Sequence, residues 1–332
     1  MNILTTYDSI NQEEWGALLT NSLTANWFQS PDAYNFFAMQ PELFKPFVVA
    51  VKEEKLLGIC VGYVTQENAK IRHFFTRRAI IIGGPVLAPT ATSESVLKLM
   101  VSVRELLEGQ TIYIETRNFN DYTPWQSAFL QAGFSYEQHL NFHVNTSSLD
   151  LVNHQLDENR RRNIRASIRN GATILNNPTN AQVADFYCIL QKIYSTRVKT
   201  PLFPLSFFLR LNEHPNGRLI LVQHHDRIIG GIAAVELPNH CLYEWFVAGE
   251  DGMHEHIYPS SLATYAGLKY AAENGIPRFD MMGAGTPQSD YGVRDFKARF
   301  GGEKVEHGRF KYIANPVLYK IGEIAVKILK HK

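Results

Sequence analysis

The chain repeats one pattern, and the repeat constrains its fold more than any other feature. Phe47-Val-Val-Ala-Val-Lys-Glu-Glu-Lys-Leu-Leu-Gly-Ile-Cys60 reads as an apolar strand, a charged turn and a second apolar strand. Leu219-Ile-Leu-Val-Gln-His-His-Asp-Arg-Ile-Ile-Gly-Gly-Ile232 has the same order. Aligning Gly58 with Gly230 pairs Glu54 with Asp226, Lys55 with Arg227 and Leu57 with Ile229. Apolar runs on both sides of a short polar turn fold as hairpins. A second echo follows. A helix over 94–108 leads to a strand over 111–115, a helix over 125–132, Gly133 and a strand over 136–144. A helix over 260–274 leads to a strand over 278–282, a helix over 293–300, Gly301 and a strand over 305–313. Two copies of one mixed α/β unit suit 332 residues better than one large sheet.

The boundary is expected near Ser147-Ser-Leu-Asp150. That gives a first domain over 1–148, a second over 149–314 and a terminal helix over 315–332. A basic helix over 151–170 follows the boundary and stops at Gly171, with further helices over 180–197 and 205–212. In the terminal helix Pro316 suits the first turn. Leu318, Ile321, Ala325 and Ile328 form its apolar stripe, and Lys320, Lys327 and Lys330 lie off it. This basic amphipathic helix is expected to pack back on the first domain; peripheral contact with an anionic membrane face is the other reading.

Net charge is +1, so no global field argues for a nucleic-acid or membrane partner, and any such site must be local. Three scattered cysteines, Cys60, Cys188 and Cys241, sit in apolar runs. They read as reduced, buried thiols in a reducing compartment. No Cys or His spacing matches a metal site, so no metal is expected. The first residues have no basic head and no apolar run, and no stretch reaches the roughly 18 to 20 apolar residues of a membrane span. A cytoplasmic protein is expected.

The stretch with most chemistry is Tyr291-Gly-Val-Arg-Asp-Phe-Lys-Ala-Arg-Phe-Gly-Gly-Glu303. It follows a strand and the glycine loop Gly283-Ala-Gly-Thr-Pro-Gln-Ser-Asp290. The spacing of Val293, Phe296 and Phe300 predicts one buried helix face, with Arg294 and Lys297 on another. Gly301-Gly302 ends the helix. Two cations beside a glycine loop suit an anion; a solvated helix face is the plainer alternative.

Four stretches together resemble the Fem-type peptidoglycan aminoacyltransferases, which are built from two tandem GNAT N-acyltransferase domains. They are Trp27-Phe-Gln-Ser30 with Tyr34, Ile82-Gly-Gly-Pro-Val86, the basic helix from Leu156-Asp-Glu-Asn-Arg-Arg-Arg-Asn-Ile-Arg165 to Gly171, and Phe279-Asp280 through Glu303. The last is the most specific. The resemblance implies an α/β fold of mixed α+β sheets in two tandem GNAT-like domains, the first for the acceptor and the second for acyl transfer. The region 180–215 is too short for the coiled-coil arm of some members, so none is expected. The basic precursor-contacting residue near the start of the first domain has no match in 29–34.

The implied reaction moves an amino acid from aminoacyl-tRNA to an amine on the stem peptide of a nucleotide- or lipid-linked cell-wall precursor, without a bound cofactor. The resemblance places Phe296 and Lys297 at the acyl-transfer centre. Such transfer needs a deprotonated amine, a stabilised oxyanion and a protonated leaving group. Lys297 would serve the oxyanion or a donor phosphate. Phe296 would stack on a base or pack in the core. Arg294 is a candidate anion contact and Tyr291 a positioning hydroxyl. Asp280 and Glu244 would orient the amine, or be buried carboxylates bonded to backbone. Arg161, Arg165 and Arg169 recur at i, i+4 and i+8 as a ridge for phosphates, with Ile164 and Ile168 on the buried side. The rival on the same fold is an acyl-CoA-dependent N-acyltransferase. Its Arg/Gln-x-x-Gly-x-Gly/Ala signature, where a strand opens into a helix holding a pyrophosphate, is approached only by Arg227-Ile-Ile-Gly-Gly-Ile232. A non-catalytic pair of ligand-binding domains is the third reading.

Overall fold

The computed structural model describes residues 1–65, 77–198, 201–288 and 292–330, with side chains through residue 324. The chain opens with β1 (Asn2–Leu4), α1 (Gln12–Asn21), α2 (Pro31–Ala38), β2 (Phe44–Lys52), β3 (Leu56–Thr65), β4 (Arg78–Gly83) and β5 (Val86–Leu87). It continues through α3 (Ser93–Leu106), β6 (Tyr113–Asn118), α4 (Gln126–Gln131), β7 (Ser135–Glu137) and β8 (Leu140–Asn145). Next come α5 (Leu149–Gln155), α6 (Glu158–Arg169), β9 (Thr173–Leu175), α7 (Asn180–Ile193) and α8 (Leu205–Glu213). They lead to β10 (Gly217–His224), β11 (Arg227–Leu237), β12 (Cys241–Gly249), α9 (Pro259–Glu273) and β13 (Arg278–Asp280). The last elements are α10 (Gly292–Ala298), β14 (Glu303–Glu306), β15 (Arg309–Ile313) and α11 (Pro316–Lys330).

Two compact units form, one from 1–139 with 307–332, the other from 140–306. These bounds differ from the expected 1–148, 149–314 and 315–332. The segment 136–144 is not one strand: β7 pairs with β15 in unit 1, whereas β8 pairs with β13 and β14 in unit 2. The segment 305–313 divides likewise at Gly308, whose φ is +61°. A Cβ there would lie 2.3 Å from the Tyr136 ring, so glycine suits the turn and any side chain would have to displace that ring. Apolar alternation reports a strand but not its partner, which is why the division was invisible in the pattern.

Unit 1 holds a mixed sheet in the order β1-β2-β3-β4-β6-β15-β7, with β5 on β3 and β4 parallel to β6. The helix α3 starts on a reciprocal cap between Thr92 and Ser95. It buries Val96, Leu99, Met100 and Val103 against one sheet face with Phe129 and Phe310. Trp15 and Leu18 of α1 cover the other face. In the turn after β4, Gly83 and Gly84 take φ of +83° and +76°, and Tyr122 Oη donates to the Pro85 carbonyl at 2.6 Å. Gln29, from the Trp27-Phe-Gln-Ser30 stretch, is a buried pin: Nε2 donates to the carbonyls of Val61 and Ile82, and Oε1 accepts from Val61 N–H. The terminal helix belongs to this unit, with Tyr319 edge-on to Tyr113 at 5.4 Å. Its expected stripe is only partly covered: Leu318 is half-buried, but Ile321 is 45% exposed. Ala325 and Ile328 lie outside the described side chains. Cys188, expected buried, is exposed on α7 of the other unit.

Unit 2 holds the order β14-β8-β13-β12-β11-β10-β9, with β12 parallel to β13. The β10–β11 hairpin turns through His225 and Asp226, both with positive φ (46° and 58°), as a two-residue hairpin requires. Gly267 lets α9 approach the sheet: a Cβ there would lie 2.5 Å from Ile232 Cδ1 and 2.8 Å from the Phe279 ring. The helix expected over 151–170 breaks at Leu156-Asp157. Asp157 is extended, and its carboxylate accepts the Arg160 N–H as the N-cap of α6, an alternative to helix that Asp favours. No helix of the described residues is long and apolar enough to cross a membrane.

Candidate active site

The site is built within unit 2 around Lys297. On α10 the burial differs from the helical-face expectation: Val293 is 39% exposed, and Lys297 is buried at 7% exposure. Phe296 is half-buried against the core, and Phe300, past the helix end, is fully buried. Gly301 then takes φ of +79°, where a Cβ would lie 2.1 Å from the Gln155 carbonyl oxygen. The chain makes this close turn beside Gln155 only because no side chain is there. The ammonium reaches back to the loop after β13, donating to the carbonyls of Met281 and Gly283, the latter at 2.7 Å. An ammonium has three N–H groups, so one has no partner among the described residues.

Two buried carboxylates act on Lys297. Glu244 is 3% exposed on β12, and Asp280 is fully buried on β13. The parallel pairing places Tyr243 beside Asp280, which brings the two acids to one end of the sheet. Burial raises the Glu244 pKa to about 7, against the opposing charge of Lys297 and the Thr264 hydroxyl. Thr264 donates to Glu244 Oε1 at 2.7 Å, and Oε2 has no hydrogen-bond partner among the described residues. Burial lowers the Lys297 pKa, and Glu244 and Asp280 oppose that shift. Burial would raise Asp280, but His143, Asn141 and Arg278 together hold its carboxyl below the ordinary value.

Asp280 anchors the loop. Its Oδ1 accepts from Asn141 Nδ2 (2.8 Å) and Met282 N–H (2.7 Å), and Oδ2 lies 3.0 Å from His143 Nε2. Asn141 Oδ1 in turn accepts from Gly283 N–H at 2.7 Å. Met282 is held at φ +52°, a strained value for a residue with a side chain. These bonds aim the Met281 and Gly283 carbonyls at Lys297. Arg294, expected as an anion contact, also serves the loop: Nε donates to the Ala284 carbonyl at 3.2 Å, and a terminal nitrogen to the Thr286 carbonyl. Tyr291 lies outside the described residues.

The basic helix contributes a residue that helical spacing did not single out. The buried face of α6 is Arg160, Ile164 and Ser167, while Ile168, expected inside, is 51% exposed. The Arg160 guanidinium packs against both aromatic rings of the α10 segment, 4.5 Å from Phe296 and 4.4 Å from Phe300. It donates to Ser261 Oγ and, at 3.1 Å, to the Phe296 carbonyl. Burial lowers its pKa to about 10, with Arg299 adding to the shift and Asp157 and Asp251 opposing it. Arg165 is exposed and Arg161 half-buried on the outer part of α6, as is exposed Arg169. They do not join Lys297. The i, i+4, i+8 spacing found the ridge; the inward arginine was hidden because arginine at a buried position looks the same in sequence as a solvated one.

One more feature bears on donors. The N-terminus of α9 follows β12 through 250–258, and there Asp251 Oδ1 accepts the Ser260 N–H at 3.1 Å. The chain's own carboxylate fills a position where amides of such a helix could hold a phosphate.

The arrangement is a buried cation with one uncommitted N–H, a carboxyl that titrates near neutrality, and a loop pinned in place. Residues 220–327 match the FemAB family model, covering β10 to α11 and thus Lys297, Glu244 and Asp280. The chain is similar throughout to a crystal structure of FemX, with a TM-score of 0.72 at 14% identity over 97% of this chain and 99% of that one. The chain has the Fem-type tandem GNAT fold. A tandem GNAT protein from the clavulanic acid biosynthesis pathway shares the Fem-type architecture at TM-score 0.59, 11% identity, and 95% and 99% coverage. The C-terminal domain of a putative lysylphosphatidylglycerol synthetase from Agrobacterium fabrum does so at 0.57, 13%, and 96% and 95%. No curated protein matches the sequence. The FemAB match, carried on this fold, supports an acyltransferase.

Proposed function

We propose that the chain transfers an aminoacyl group from aminoacyl-tRNA to an amine of a peptidoglycan precursor stem peptide. The FemAB match supports peptidoglycan-related aminoacyl transfer at family level. The observation that carries the finer reading is the buried Lys297, fixed by two loop carbonyls with one N–H uncommitted. In the reaction the neutral amine attacks the ester carbonyl, a C–N bond forms, the C–O bond to the tRNA ribose breaks, and the proton lost by the amine nitrogen is taken up by the departing ribose oxygen. Lys297 meets the oxyanion with its remaining N–H. Glu244 supplies the compensating negative charge once it ionises near pH 7, which keeps Lys297 cationic. Arg160, Asp280 and Arg294 hold the aromatic ring, the loop and its carbonyls in place. Unit 2 carries the transfer and unit 1 the acceptor. Arg161 and Arg165, on the outer part of α6, take donor phosphates.

An acyl-CoA donor is the rival. Asp251, bonded to the first turn of α9 from the preceding connection, weighs against it, because its carboxylate would repel a pyrophosphate there. The deciding experiment titrates the protein with an aminoacyl-tRNA pool and, separately, with acetyl-CoA, at low and physiological salt. Salt-dependent tRNA binding, weakened by Arg161→Gln with Arg165→Gln, is the expected outcome. Saturable acetyl-CoA binding without tRNA binding would overturn the donor assignment.

A further inference from the structure

We propose that the terminal helix α11 docks unit 1 onto an anionic lipid bilayer, through an apolar line that the fold leaves uncovered. This inference does not rest on the transfer reaction.

The helix has two different sides. Asn315 Oδ1 accepts the Leu318 N–H at 3.0 Å and caps the first turn. Leu318, Tyr319 and Gly322 form the half-buried side. Tyr319 sets its ring edge-on to Tyr113 of β6, and its hydroxyl accepts from Lys311 Nζ of β15 at 3.4 Å. These contacts fix which side faces out. That side carries Val317, Ile321 and Ile324, exposed at 69%, 45% and 53%. Single exposed apolar residues are ordinary on a protein surface. Three at i, i+4 and i+7 lie in one line along a helix. The stripe expected from the sequence ran through Leu318 and Ile321. The structure turns Leu318 inward and leaves Val317 and Ile324 in line with Ile321.

Charge selects the partner. Lys320 is exposed beside the line, and the sequence over 316–332 holds four lysines against one glutamate. A narrow apolar line on a cationic helix matches the surface of a bilayer with anionic headgroups. The isoleucines enter the acyl boundary, and the cations meet headgroup phosphates. A second copy of the chain fits less well, because a two-fold contact would set one cationic helix against an identical one.

The test sediments the full chain with vesicles of phosphatidylglycerol and phosphatidylcholine in equal parts, and with vesicles of phosphatidylcholine alone. The chain should sediment with the anionic vesicles at low salt, more weakly at physiological salt, and not with phosphatidylcholine alone. Ile321→Gln with Ile324→Gln keeps good helix formers at exposed positions, so the melting temperature should stay near wild type. Binding in that double variant should fall about tenfold or more, the scale of losing a buried isoleucine. Lys320→Gln should weaken it about fivefold, the scale of one lysine near a charged surface. If the double variant does not fold, Lys320→Gln decides alone. No sedimentation with anionic vesicles, equal binding to phosphatidylcholine alone, or unchanged binding in the variants overturns the proposal. Sedimentation velocity on the same samples reads the other occupant: a dimer that the double variant abolishes, without vesicle binding, would assign the line to a second copy and overturn the proposal as well.

Discussion

Lys297 Nζ lies 2.7 Å from the carbonyl oxygen of Gly283, a residue on a loop fourteen positions earlier in the chain. That bond joins the helix after the loop to the loop itself, and it makes a surface-type residue part of the interior. Replacing Lys297 by Ala removes the one N–H the transfer reaction would use. Turnover should fall about a hundredfold, the scale of one lost oxyanion donor. Circular dichroism should show a folded chain. A wild-type rate in the variant would remove Lys297 from the mechanism.

Glu244 gives a pH dependence. Its carboxyl is raised from an ordinary 4.5 to about 7 in the folded chain. The folded state therefore binds the proton more tightly than the unfolded one, and its contribution to stability falls as pH rises from about 4.5 to 7. The full effect is roughly 3 kcal/mol. Denaturant melts across that window should show it, and Glu244→Gln, which mimics the neutral acid, should flatten the slope. The transfer rate should rise through pH 7 in the wild type and lose that step in the variant.

Arg160 is a packing residue as well as a cation. Arg160→Lys keeps the charge but loses the planar face against Phe296 and Phe300 and the fork to Ser261 and the Phe296 carbonyl. A loss of about 2 to 3 kcal/mol is expected, of the size of charged hydrogen bonds in a buried setting. Urea unfolding measures it; equal stability of the lysine variant would show that the ring contacts contribute nothing.

Gly301 has no tolerance for a side chain. Its φ is +79°, and a Cβ would lie 2.1 Å from the Gln155 backbone oxygen. Gly301→Ala should cost more than about 2 kcal/mol, from positive φ and from a clash that only backbone movement relieves. Gly292→Ala on the same segment, where a Cβ meets nothing within 4 Å, is the control and should leave the melting temperature near wild type.

The sequence alone determined the tandem layout, because hairpins and helical faces are local periodicities that burial imposes on neighbouring residues. The hairpins read over 47–60 and 219–232, which the structure extends to 44–65 and 217–237, the helix after each sheet core, and the glycine stop after Phe300 were all legible that way. Tertiary structure decided the strand partners: Tyr136 went to one sheet and Phe142, six residues on, to the other. Pairing depends on backbone groups far apart in the chain, to which side-chain period is blind. Tertiary structure also decided which cations are buried. Lys297 and Arg160 are inside because loop carbonyls, Ser261 and two aromatic rings meet them there. A charged side chain can be buried only where such partners converge, and convergence is a property of the folded chain.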